Sequence, residues 1–313
     1  MDWWVILLIV VGVIAVLLLV GAIYALKRAF WSVKKNKIDY YRGLDSGRCY
    51  DPERCRVLID KMTSLDMERV YTKSRDGLTL SGYFLEGKPC APVEIFFHGF
   101  RGSWQRDFCG ITEAAVELGH NILFVDQRSH GESEGKYITY GIKETYDAAL
   151  WADYVCERFG DEVEIVLVGA SMGGATVLSS SELPLPKNVK AIISDSAFST
   201  PIGIITEVSG GGKLSNALVR VGASLTARVI CGFDLFESSA LEAVKNTEIP
   251  IMLMHGLSDR IVPHSMAEEL VAANPKIRLE SFEGADHIQC YLVDSDRYKA
   301  AYKDFLENCG VTV

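Results

Sequence analysis

Val163-Glu-Ile-Val-Leu-Val-Gly-Ala-Ser-Met-Gly-Gly174 is the stretch that decides the fold of this chain. An apolar, β-branched run enters Gly169-Ala170-Ser171-Met172-Gly173 and continues into Gly174-Ala175-Thr176-Val177-Leu178. This is a G-x-S-x-G pattern with a strand before it and a helix after it. The small residues have a physical task. A serine on a sharp strand-to-helix turn adopts strained backbone geometry, and bulky flanking side chains collide with neighbouring elements. The turn lifts the Ser171 hydroxyl out of the sheet and sets the N–H of Met172 at a helix start, where it can face a developing oxyanion. Glycine-rich strand-to-helix turns also serve nucleotide-binding folds, but neither G-x-G-x-x-G nor G-K-[ST] occurs here.

Outward from that turn, two strand types are legible. Val70-Tyr-Thr-Lys-Ser-Arg75 and Leu78-Thr-Leu-Ser-Gly-Tyr-Phe-Leu85 alternate apolar and polar around Asp76-Gly77, a hairpin signal whose turn needs positive φ. The runs at 93–97, 122–125, 165–168, 191–193 and 249–254 are short and apolar with little alternation, as buried parallel strands are, and a last strand is expected at 277–282. Helical patterns lie between most of them, at 144–159 and 172–181 for example. Strands alternating with helices behind an antiparallel hairpin imply an α/β fold with a mostly parallel, eight-stranded sheet flanked by helices, spanning 68–313. Residues 200–245 break the rhythm. They hold Gly210-Gly211-Gly212 and an amphipathic run at 214–230, and read either as a small helical lid or as one long crossover helix with a flexible entry.

The N-terminus is a separate object. Trp3 to Leu26 contains no charged residue, and as a helix it would be about 36 Å long, enough to cross a bilayer. Trp3, Trp4 and Tyr24 sit near its ends, where amphipathic rings favour the headgroup region. A cleaved signal peptide is the alternative, but no basic residue precedes the run and no A-x-A site follows it. Residues 1–26 are therefore expected to be an uncleaved transmembrane anchor, followed by a basic stalk and short helix over 27–67. Lys27, Arg28, Lys34, Lys35 and Lys37 follow the run, so the positive-inside bias places the catalytic body in the cytoplasm of a single-pass protein. The composition of the whole 313-residue chain is globular, with 49% hydrophobic and 23% charged residues. A net charge of −9 argues against a nucleic-acid partner, since no basic surplus exists to neutralise phosphates. The eight cysteines are scattered with no C-x-x-C pair, which reads as reduced thiols and no structural zinc. Cys49 and Cys55 are close in sequence, but Asp51-Pro52-Glu53 between them reads as a helix N-cap and first turn, so their proximity is taken as incidental.

A serine nucleophile needs a base in hydrogen-bond reach and a third group to orient it. Of six histidines, His98 and His255 each end a strand before a glycine, His120 precedes a strand, His130 sits in Arg128-Ser-His-Gly-Glu-Ser133, and His264 begins a helix. His287 differs, because it lies in a loop at the carboxyl end of the last strand, the edge where sites assemble in parallel sheets. Asp259, beyond the strand at 249–254, is the best orienting acid, with Asp195 as the runner-up. Asp286 is too near His287 in sequence to accept from its ring, and Asp126 is expected to organise its own loop. The oxyanion donors expected are the N–H of Met172 and the N–H of Phe100, where Gly99 permits close approach. Arg101 could meet an anionic substrate group or be held by a local carboxylate.

Phe97-His-Gly-Phe-Arg-Gly102, Asp126-Gln-Arg-Ser-His-Gly-Glu-Ser133, Gly169-Ala-Ser-Met-Gly173, His255-Gly-Leu-Ser-Asp259 and Gly284-Ala-Asp-His287 together resemble the α/β-hydrolase superfamily over residues 68–310. Within it the chain is similar to membrane-anchored serine hydrolases near the acylglycerol-lipase and serine-aminopeptidase-like branches. The resemblance implies hydrolysis of a small-molecule acyl substrate with no cofactor or metal, using Ser171, His287 and Asp259. A serine at the elbow, where related dehalogenases and epoxide hydrolases carry aspartate, argues against those activities. Three functions remain open from sequence: an ester hydrolase, a peptidase that would need a carboxylate such as Glu207, Glu237 or Glu242 for the substrate amine, and a silent membrane-tethered scaffold.

Overall fold

The computed structural model describes residues 2–32, 39–41, 44–47 and 49–313, with the side chains at 14, 15, 17–19, 22 and 26 also outside the description. Lys34, Lys35 and Lys37 of the basic flank therefore lie outside the described residues.

Eight strands form one sheet: β1 (Glu68–Lys73), β2 (Thr79–Leu85), β3 (Val93–Phe97), β4 (Asn121–Asp126), β5 (Ile165–Ala170), β6 (Val189–Asp195), β7 (Ile251–Gly256) and β8 (Arg278–Phe282). Their order is β1-β2-β4-β3-β5-β6-β7-β8. The β1–β2 and β2–β4 pairs are antiparallel, and every pair from β4 to β8 is parallel. The Asp76-Gly77 turn has the positive φ its sequence demands, +85° at Gly77. β7 begins at Ile251 and not at 249, because Pro250 has no N–H to give the ladder and offers only its carbonyl, to Ile192 N–H at 2.9 Å.

The helices are α1 (Trp3–Phe30), α2 (Pro52–Thr63), α3 (Trp104–Asp107), α4 (Thr112–Leu118), α5 (Glu144–Phe159) and α6 (Met172–Ser180). After β6 come α7 (Pro201–Val208), α8 (Lys213–Thr226), α9 (Ala240–Ala243), α10 (Ser265–Ala273), α11 (Cys290–Val293) and α12 (Ser295–Asn308). Period-two alternation along the central strands divides the core. Ile95, Phe97, Leu123, Val125, Ile165 and Leu167 face Trp151 of α5 and Ala175 and Leu178 of α6. Phe96, Ile122, Phe124, Val166 and Val168 face the other side, with Ile59 of α2 and Tyr298 and Tyr302 of α12. α2 is capped as its sequence implies, the Asp51 carboxylate accepting Arg54 N–H at 3.0 Å with Pro52 in the first turn. The interval after β6 folds as α7, α8, a π-helical turn at Ala227–Cys231 and α9, and so is not a single crossover helix.

The apolar N-terminal run is helical but longer than the expected 1–26, since α1 continues to Phe30. Packing explains the extension. The Phe30 ring is fully buried, with Tyr140 at 5.7 Å and Phe233 at 5.9 Å, and its carbonyl accepts Ile138 N–H at 2.7 Å. Among the described residues, no helix is long and apolar enough to cross a membrane.

A buried polar cluster that the apolar pattern concealed fastens the C-terminus to β3. Glu94 accepts from His120 Nδ1–H at 2.6 Å and from the Tyr302 hydroxyl, and His120 Nε2–H donates to the Thr312 carbonyl at 2.7 Å. Burial alone would lower the pKa of His120, but Glu94 outweighs it and the net shift is upward. A raised folded-state pKa stabilises fully below the ordinary histidine value and is lost as pH rises through the shifted one. The melting temperature should therefore fall as pH climbs above the ordinary histidine value and through the raised one, and a His120→Asn variant should lose this slope. A slope retained in the variant would assign it elsewhere.

Candidate active site

The carboxyl ends of β3, β5, β7 and β8 supply the site. Ser171 stands between β5 and α6 with φ +54° and ψ −116°, a conformation sparsely populated by side chains other than glycine. The turn is held by Ser171 N–H donating to the Asp195 carbonyl at 2.8 Å and by Ala175 N–H donating to the Ser171 carbonyl at 3.0 Å. Two glycines make it possible. A Cβ on Gly173 would sit 1.7 Å from the Phe97 carbonyl oxygen, and one on Gly169 would sit 2.2 Å from that of Gly173. No alanine fits either position.

Ser171 Oγ lies 2.9 Å from His287 Nε2, and His287 Nδ1 lies 2.8 Å from Asp259 Oδ2. The expected serine, histidine and aspartate are thus brought into one hydrogen-bonded line. His287 follows β8, and Asp259 follows β7. The Asp259 side chain is fully buried, and its Oδ1 accepts the N–H groups of Ile261 and Val262, each at 2.8 Å. Burial would raise its pKa, but hydrogen bonds from His255 and His287 and the charge of His287 win, holding the carboxyl well below the usual range. With Asp259 ionised, Nδ1 carries the imidazole proton and Nε2 is free to accept from the serine hydroxyl.

Asp195, the runner-up acid, is not in this line. Its Oδ1 accepts the Ser196 hydroxyl at 2.8 Å, and burial pushes its pKa up to about 6. Ser196 in turn accepts Ile288 N–H at 3.1 Å, which steadies the loop that carries His287. Asp286 accepts no ring proton, as its sequence position implied. It receives Arg260 N–H at 2.9 Å and Arg260 Nε–H at 2.7 Å, and so ties the His287 loop to the Asp259 loop. That tie was not legible in the sequence. Asp126 organises its own loop as expected, accepting Glu132 N–H at 2.8 Å and leaving no room for a Cβ on Gly131.

The N–H groups of Phe100 and Met172, the expected oxyanion donors, meet no acceptor among the described residues. Gly99 brings the Phe100 loop against Ser171, since a Cβ there would be 3.2 Å from the Ser171 Cβ. Two side chains brace this loop, and sequence reasoning missed both roles. His130 Nε2 accepts Arg101 N–H at 3.0 Å, which requires a neutral ring. Burial, the neighbouring His98 and Arg101 lower its pKa to about 3, so it is neutral at working pH. Arg101 reaches back to carbonyls at the end of α1. Its Nε–H donates to Arg28 O at 3.0 Å and its Nη2–H to Trp31 O at 2.8 Å. The Phe100 ring stacks on Tyr140 at 5.1 Å, and the Tyr140 hydroxyl donates to Ala29 O at 3.1 Å. The last turn of α1 is therefore built into the wall of the site.

His287 also borders a cavity of about 560 Å³ lined by Asp107, Cys49, Cys55, Cys109, Ile288 and Tyr291 among others, a volume usual for small-molecule sites. The Cys49 and Cys55 sulfurs lie 3.3 Å apart on its wall, a contact the sequence reading had set aside. A cavity of about 730 Å³ at the β2–β4 edge includes none of Ser171, His287 or Asp259 in its lining. Of the carboxylates considered for an amine site, Glu242 pairs with Lys245 at 2.7 Å.

A sheet of this order with a serine at the β5 elbow defines an α/β hydrolase, and comparison with known proteins agrees. The profile of the alpha/beta hydrolase family matches residues 95–301, and the chain belongs to that family. It is 26% identical to the protein YfhR of Salmonella typhi over 264 residues, covering 79% of this chain and 82% of YfhR. Among solved structures it is similar to the Pyrococcus furiosus esterase Pf2001, with a TM-score of 0.63 and 21% identity over 83% of this chain and 94% of that one. A putative aryl esterase from Burkholderia cenocepacia has a TM-score of 0.55 at 19% identity, covering 77% of this chain and 99% of that one. At these identities the structural likenesses speak for the fold.

Proposed function

We propose that the protein is a membrane-tethered serine hydrolase that cleaves carboxylic esters through an acyl-enzyme. The observation that carries the reading is the 2.9 Å and 2.8 Å line from Ser171 through His287 to Asp259. Ser171 Oγ attacks the acyl carbonyl carbon while His287 Nε2 takes its proton, and Asp259 stabilises the imidazolium that forms. The carbonyl oxygen, now anionic, accepts from the N–H groups of Phe100 and Met172. Collapse breaks the ester C–O bond, and Nε2–H protonates the departing alcohol. Water, deprotonated by the same nitrogen, then releases the acid and restores Ser171.

What supports the tether is the length and chemistry of α1. It has 28 residues, with no charge from Trp3 to Leu26, and its described side chains such as Trp3, Leu8 and Val20 stand more than half exposed. Such a surface is costly in water and ordinary in hydrocarbon. Lys27 and Arg28 at its end favour a cytoplasmic body.

Two outcomes follow. Acyl esters should turn over at least about 100-fold faster than the corresponding aminoacyl amides, since an amine leaving group needs protonation that an alcohol needs less. Measured kcat/KM values in the reverse order would move the assignment to an aminopeptidase. Arg101→Met should cut kcat for an ester about 10- to 100-fold with little change in KM, because displacing a donor by an ångström is costly to the transition state. Unchanged kcat would mean that the Phe100 loop holds its place without α1.

A further inference from the structure

We propose that the outer face of α8 rests on the surface of an anionic lipid bilayer. The proposal rests on the reading of α1 as a membrane tether and extends it to a second point of contact.

The side chains of α8 are arranged the wrong way round for a helix that only packs on its own body. Val219, Ala223 and Thr226 face inward, with Ala227 of the following turn. Leu214, Leu218, Val221 and Leu225 face outward, 77%, 66%, 59% and 57% exposed. Their spacing of four, three and four residues makes a single stripe. Val229 and Ile230 on the π-helical turn carry it onward, 78% and 52% exposed. A helix with small residues inside and large aliphatic ones outside expects something apolar to cover it.

Charge selects the cover. Between Glu207 and Asp234 the chain has no acidic residue but has Lys213 and Arg220, with Arg228 paired to Asp234 at 2.6 Å, within a protein whose net charge is −9. An apolar stripe flanked by cations is the composition of a helix lying in a headgroup layer. A second copy docked stripe to stripe would bring these like charges together, which opposes the pairing. Position agrees with charge. The π-helical turn ends at Cys231, and Phe233 two residues later packs on Phe30, the last residue of α1. α1 thus leaves the body at the edge where the α8 stripe ends, with Lys27 and Arg28 matching Lys213 and Arg220 in sign. One anionic surface fits both.

The test uses the full chain reconstituted in vesicles of equal parts phosphatidylcholine and phosphatidylglycerol with brominated acyl chains. A genetically encoded fluorescent amino acid is placed at position 218, at position 13 of α1, or at position 117 on the body. Emission from 218 should fall at least about two-fold, as from a side chain buried to the acyl boundary. Position 13 should be quenched as well, and position 117 should not. Quenching at 13 without quenching at 218 overturns this proposal and leaves the tether standing, whereas quenching at neither removes both. Vesicles of phosphatidylcholine alone should relieve quenching at 218 only. Quenching at 218 that ignores lipid charge, or that follows protein density in place of bromine content, overturns the anionic-surface assignment.

Discussion

His287→Ala is expected to lower kcat/KM for an ester by on the order of 10⁴- to 10⁶-fold, the scale of losing the base of a serine triad. No neighbouring histidine can substitute. His255 is buried and engages Val262 O at 2.9 Å and Asp259, while His264 bonds Ser281 at 2.8 Å and lies beside Glu268. The fold should survive the truncation, because Asp259 keeps the Ile261 and Val262 N–H groups and His255. A circular-dichroism melt close to wild type together with collapsed turnover would separate chemistry from folding. Turnover within tenfold of wild type would exclude His287 as the base.

Asp259→Asn should cost on the order of 10⁴-fold in kcat, through the tautomer and not through shape. The amide can still accept Ile261 and Val262 N–H with its oxygen, which leaves its NH₂ facing His287 Nδ1. That nitrogen must then become the acceptor, so the proton moves to Nε2 and the ring can no longer take one from Ser171. Stability should move too. A carboxyl held below its ordinary value stabilises the fold above the unfolded-state pKa and loses that contribution as pH falls through the depressed one. The variant should therefore melt below wild type at neutral pH, and the gap should close toward strong acid. A pH-independent gap, or kcat within tenfold of wild type, would contradict the assignment of Asp259.

Much of the site was legible because its chemistry is written locally. The Gly169–Gly173 turn admits one backbone path, and glycine placement there reports a steric limit that a single chain displays without help from tertiary context. Asp259 and His287 were readable because strand ends could be located from apolar runs, and parallel sheets collect their loops at one edge. What stayed hidden depends on long-range contact. Arg101 sits in a loop whose sequence neighbours give no sign that it reaches across the chain to the Arg28 and Trp31 carbonyls. His130 had a turn-like setting, but its neutral, accepting role exists only once burial strips its charge. The Asp286–Arg260 tie and the Glu94–His120–Tyr302 cluster join residues whose sequence neighbours say nothing of each other. Hydropathy marks only the apolar run to Leu26, and the continuation of α1 to Phe30 rests on the packing of that ring against the body.

Covalent labelling of the full-length protein by a fluorophosphonate, beside Ser171→Ala and His287→Ala, decides whether Ser171 is an activated nucleophile. The wild type should be labelled with the adduct on Ser171, Ser171→Ala should not be labelled, and labelling of His287→Ala should be strongly slowed. A folded wild type that stays unlabelled, or an adduct that persists in Ser171→Ala, would contradict an activated serine at the β5 elbow.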